Sequence, residues 1–137
     1  MAVGSDSAAA ITGLAEVVLN VRDMIAALRF YRDVLGLRVI SPPERTNPVF
    51  LRAGAANDEL PALVVLVQLP DESAAFTGPR TLHHLALAIS AESFDETQRL
   101  LEGRGFVVRT GQHPVIPSRT MYIDDPDGNE VELIAPA

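Results

Sequence analysis

The chain has 137 residues, 47% of them hydrophobic, a formal net charge of -7 at pH 7 and no cysteine. So much apolar side chain supplies a buried core and argues against disorder. Acidity without any basic run speaks against nucleic acid or an anionic membrane as partner, and the lack of thiols excludes disulfides, thiolate metal sites and cysteine nucleophiles.

Residues 1–13 are small and polar and read as a flexible tail. They lack the basic-then-apolar order of a signal peptide, and no apolar window reaches the ~18 residues of a membrane span, so the expected location is cytoplasmic. Residues 14–21 alternate with branched side chains and predict a strand. Asp23 is placed to cap a helix whose Met24, Leu28, Tyr31 and Leu35 share one face, and Gly36 supplies its stop. Three short strands follow, at 37–40, 49–52 and 62–69.

Residues 70–81 (PDESAAFTGPRT) have the composition of a linker. The order then repeats. A strand spans 82–89, and Ser93 with Glu96 suggests a capping box for a helix running to Arg104 with Gly105 as its stop. Three strands close the chain at 106–110, 119–123 and 130–134. DDPDGNE before the last of them is a hairpin signal.

The two halves are copies of one βαβββ plan. Glu16 and His84 lie 68 residues apart, Gly36 and Gly105 69 apart. The expected fold is therefore α+β: two tandem modules (14–69 and 82–135) forming one cupped, mostly antiparallel sheet with the helices on its outer face, in a single domain over 14–137. Strand alternation puts Val17, Leu19 and Val21 under the first helix and Glu16, Val18 and Asn20 on the other face. In the second module, His84, Ala86 and Ala88 occupy the face equivalent to that of Glu16, and His83 points away from it.

The closing strand of each module adds one polar group. Gln68 follows Glu16 by 52 residues, and Glu132 follows His84 by 48. Each of these residues by itself reads as a solvated or hydrogen-bonded strand residue. Four potential ligands at repeat-equivalent positions instead suggest a divalent ion held by Glu16, Gln68, His84 and Glu132, since imidazole and carboxylate are the usual ligands where thiolate is missing.

VVLNVRDMIAALRFYRDVLGL in the first module, with LHHLALAI and YIDDPDGNEVELIAP in the second, resembles the vicinal oxygen chelate superfamily, the glyoxalase, bleomycin-resistance and extradiol dioxygenase group. The resemblance covers residues 14–135. It implies a cupped sheet around a metal, with ligands at Glu16, Gln68, His84 and Glu132, and a substrate chelated through two adjacent oxygens in a lyase, isomerase or dioxygenase-like reaction. The family commonly has His where this chain has Glu16. A more oxygen-rich set favours Mn, Mg, Ni or Zn over oxygen-activating Fe. The glutathione anchors expected of glyoxalase I members are replaced by Asn20 and Glu72.

By the symmetry of the modules Glu132 or Glu16 is the candidate base, and Tyr122, on one strand face with Thr120 and Asp124, is a candidate hydrogen-bond donor to a substrate oxyanion. The resemblance implies a further catalytic group at His113, in the loop GQHPVIPS. It implies a homodimer. The alternative reading is a metal-free, bleomycin-resistance-like binding protein. With aromatics at 5% and no Trp, a flat stacking site for a drug has few building blocks.

Overall fold

The computed structural model describes residues 8, 10–55, 60–70 and 80–137. The βαβββ plan is present twice. In the first module, β1 (Glu16–Val21), β2 (Arg38–Val39), β3 (Val49–Arg52) and β4 (Leu63–Gln68) form a sheet of order β1-β4-β3-β2. β1 runs parallel to β4, and the other two pairings are antiparallel. In the second, β5 (Leu85–Ala88), β6 (Arg109–Gly111), β7 (Ser118–Asp124) and β8 (Glu130–Pro136) repeat that pattern as β5-β8-β7-β6.

The fold is α+β, as the repeat predicted. The continuous sheet resolves into two four-stranded ones, because among the described residues β1 and β5 each pair on one side and no ladder joins them. Most of the expected linker lies outside the described residues.

The first helix starts where predicted. Asp23 Oδ1 accepts from the backbone N–H of Ile25 and Ala26 at 3.0 and 3.4 Å, satisfying two donors that a helix start leaves unpaired. The α-helical turn α1 (Met24–Leu28) runs on into a π-helical stretch, Arg29–Val34. Met24, Ala27, Phe30 and Tyr31 are buried. Gly36 stops the helix at φ +79, and a Cβ added there would lie in open space. The only penalty for a side chain is conformational, so Gly36→Ala should cost roughly 1–2 kcal/mol in urea unfolding.

The second helix, α2 (Phe94–Gly103), differs at its start. The capping box does not form. Ser93 has helical backbone angles, and its hydroxyl donates to Ser90 O at 3.1 Å instead. Glu96 pairs with Arg99. Gly105, at φ +91, follows the helix end as expected.

One apolar core draws on both modules, from Leu19, Val21, Phe30 and Tyr31 to Phe94, Leu101, Met121 and Leu133. Phe30 meets Phe106 edge-on at 5.7 Å. The polar tether between modules is the β7–β8 hairpin. Asp125 Oδ1 accepts from the N–H of Asp127 and Asn129, while its Oδ2 accepts from Asn129 Nδ2 and, at 2.6 Å, from the Tyr31 hydroxyl. Burial, reinforced by the Asp125 charge, pushes the Tyr31 hydroxyl far above its ordinary pKa, so it remains a donor. Arg22 adds an ion pair to Asp127 at 3.0 Å. Among the described residues, no helix is long and apolar enough to cross a membrane.

Candidate metal centre

Glu132 sits within β8, in register with Ala86 on one side and Tyr122 on the other. His84 stands just before β5, two residues ahead of Ala86. The two side chains meet: His84 Nε2 lies 2.9 Å from Glu132 Oε1. The expected His84–Glu132 convergence is thus present within the second module.

Glu132 is only 2% exposed, and its second oxygen, Oε2, is buried with no hydrogen-bond partner among the described residues. A desolvated carboxylate oxygen left unpaired costs stability, and an ion, a catalytic role or a bound water would account for it. The rings of Tyr122 and His84 meet in a T-shaped arrangement, 6.1 Å between centroids. On the same face of β7, Thr120 Oγ1 is also buried, with no partner among the described residues. Arg109 on β6 donates to both Asp124 and Glu130, at 2.9 and 3.1 Å. These bonds, that to Asp124 foremost, hold the guanidinium above its ordinary pKa. The acid two residues before Glu132 is thereby given its own counter-charge.

The first module behaves differently. Glu16 pairs with Leu63 at the start of β1, whereas Gln68 pairs with Val21 at its end. Gln68 is therefore on the helix-covered face, where its Oε1 accepts from Met24 N at 3.2 Å and helps cap α1. The structure does not bring it to Glu16. The position equivalent to Glu132 is Val65, which pairs with Val18 as Glu132 pairs with Ala86. Val65 is 2% exposed and has no ligating atom. It follows Glu16 by 49 residues, close to the 48 between His84 and Glu132. That near-equality is the signal that separates it from Gln68.

Glu16 itself is exposed, and it is not part of any group of three potential ligands within 4.8 Å of one another among the described residues. The three such residues that do group are His83, His84 and Glu130. His83 is thus beside His84 and not on the opposite face. Residues 82–84 precede β5, so strand alternation does not govern them. His113 is tied into its own loop: Nδ1 accepts from the N–H of Val115 and Ile116 at 3.1 and 3.0 Å. That leaves Nε2 as the protonated nitrogen of the neutral ring.

Comparison with known proteins agrees with this architecture. The family model described as the Glyoxalase/Bleomycin resistance protein/Dioxygenase superfamily matches residues 13–133. A catechol-2,3-dioxygenase of Bacillus subtilis is 32% identical over 122 residues, covering 85% of this chain. The chain spans 39% of that protein's length. Among solved structures, a putative glyoxalase family protein from Bacillus anthracis superposes with a TM-score of 0.70 at 19% identity, covering 94% of this chain and 98% of the other. A lactoylglutathione lyase from Agrobacterium tumefaciens does so at 0.65 and 25% identity, covering 92% and 95%. The matched span takes in both modules and the whole of the His84–Glu132 site: this chain belongs to the glyoxalase/bleomycin resistance protein/dioxygenase superfamily.

Proposed function

We propose that the chain is a divalent-metal-dependent enzyme acting on small molecules that carry two adjacent oxygens. The observation that carries the reading is Glu132: a buried carboxylate with one oxygen against His84 Nε2 and the other without a partner among the described residues. An imidazole nitrogen and a carboxylate at this separation fit neighbouring positions around a divalent ion. His84 and Glu132 would hold it. When bound, the ion supplies Lewis-acid stabilisation of charge on a chelated oxygen. In this reading Tyr122, opposite Glu132 in the sheet, would donate a hydrogen bond to a substrate oxygen. In this reading Glu132 Oε2, buried from solvent, would accept a substrate proton.

Glu16 enters this reading through a second copy of the chain. Its strand β1 and the strand β5 beside His84 are both sheet edges. Val18, next to Glu16 on the same face, is an apolar side chain 52% exposed. A homodimer that sets the first module of one copy against the second module of the other would cover that face and deliver Glu16 as a third ligand. The similarity to a catechol-2,3-dioxygenase supports an ortho-diol or related dioxygenated substrate.

The test is elemental analysis with light scattering on protein purified without chelator. About one divalent ion per chain in a dimer is expected, lost in His84→Ala and weakened in Glu16→Ala without dissociation of the dimer. If neither Mn, Ni, Zn nor Fe(II) binds the wild-type chain, the metalloenzyme reading fails, and the molecule is a metal-free small-molecule binder.

A further inference from the structure

His83 and His84 make an unusual pair for neighbours in sequence. Their Nδ1 atoms are 2.8 Å apart, and their rings meet at 72° with centroids 5.0 Å apart. At that separation two imidazole nitrogens share one hydrogen, one donating and the other accepting. The other nitrogen of His84 faces Glu132 Oε1 at 2.9 Å. Both nitrogens of His84 are therefore engaged, one by an imidazole and one by a buried carboxylate.

These two partners compete for the position of the ring hydrogen. A carboxylate only accepts, so Glu132 favours the form of His84 with its hydrogen on Nε2. That form has no lone pair on Nε2 and cannot ligate an ion there. An acceptor at Nδ1 favours the opposite form, with the hydrogen on Nδ1 and the Nε2 lone pair free. His83 Nδ1 is the atom placed to be that acceptor. The exposed His83 ring is free to carry its own hydrogen on Nε2. Histidine ligands to metals commonly have their second nitrogen fixed by such an outer partner.

We propose that His83 is a positioning residue. By accepting a hydrogen bond from His84 Nδ1, it fixes the ring plane and tautomer in which His84 Nε2 can ligate a divalent ion. This role rests on the metal-dependent reading above and belongs to a residue outside the ligand set. It also distinguishes two ways of using the local cluster: His83, His84 and Glu130 offer ligand atoms within 4.8 Å of one another, but here His83 supports a ligand and is not one.

The test uses the full chain, zinc(II) as the probe, and long-range proton–nitrogen NMR of the imidazoles. With zinc, His84 should be metal-bound at Nε2 and protonated at Nδ1, and His83 protonated at Nε2. His83→Leu removes the acceptor and should weaken zinc binding by about 10–100-fold. In the metal-free protein it should shift His84 toward the Nε2–H form. His83→Asn, which restores a carbonyl acceptor, should recover most of the affinity.

Zinc bound through His84 Nδ1 or through His83 would overturn the proposal. So would zinc on His84 Nε2 with unchanged affinity in His83→Leu, and in that case the metal reading stands. A wild-type chain whose His84 signals ignore zinc would overturn both.

Discussion

Replacing Glu132 with Met should make the metal-free protein more stable by about 1–3 kcal/mol while abolishing divalent-ion binding. Glu132 is 2% exposed, yet among the described residues Oε2 has no partner, and Oε1 meets the partly exposed His84. Methionine has a similar length, fills the same space and needs no hydrogen bond. The His84 ring left behind can be hydrated, because its side chain retains a third of its exposure. The cost of burying the carboxylate is thus removed and little is added. Urea unfolding of chelator-treated protein, with zinc titration of the same samples, measures both effects. A loss of several kcal/mol on Glu132→Met would instead make the His84–Glu132 pair a structural ion pair, and the metal reading would lose its chief support.

The largest loss of stability is expected at Asp125, away from the ligand pair. Asp125→Ala should cost about 3–5 kcal/mol in urea unfolding. Its carboxylate takes hydrogen bonds from two backbone N–H groups of the hairpin, from Asn129 and from Tyr31. Alanine would strand buried donors from both modules at once. Tyr31→Phe removes a single charge-assisted bond from the same network and should cost about 1.5–3 kcal/mol. Equal effects of less than about 0.5 kcal/mol for the two variants would show that the modules are held by the apolar core alone.

Much of the architecture was legible in the chain. The Glu16–His84 and Gly36–Gly105 spacings revealed the duplication, and the Asp23 cap, the two glycine stops and the DDPDGNE turn all lie where expected. These are local signals, each set by one residue's backbone preference or by a short hydrogen-bond pattern. Ser93 shows the limit of such signals. Its S-x-x-E spacing suits a capping box, but the preceding turn offers Ser90 O to the same hydroxyl.

The ligand set divides along the same line. Alternation within the short, polar-and-apolar segment EVELI was enough to place Glu132 on the face opposite to that of Val131 and Leu133, beside Ala86. LVVLVQL has no alternation, so its sequence does not say which side chains face the helix; only its parallel register with β1 sends Gln68 to the helix and puts Val65 opposite Glu132's place. His83 escaped the period-two rule because it precedes the strand to which the rule applies. What the sequence determined by itself was the repeated module and its turns, because each depends on nearby residues or on a spacing that recurs. What only the tertiary structure decided was which potential ligands meet, because that depends on strand register and on how two separately edged sheets are set against each other.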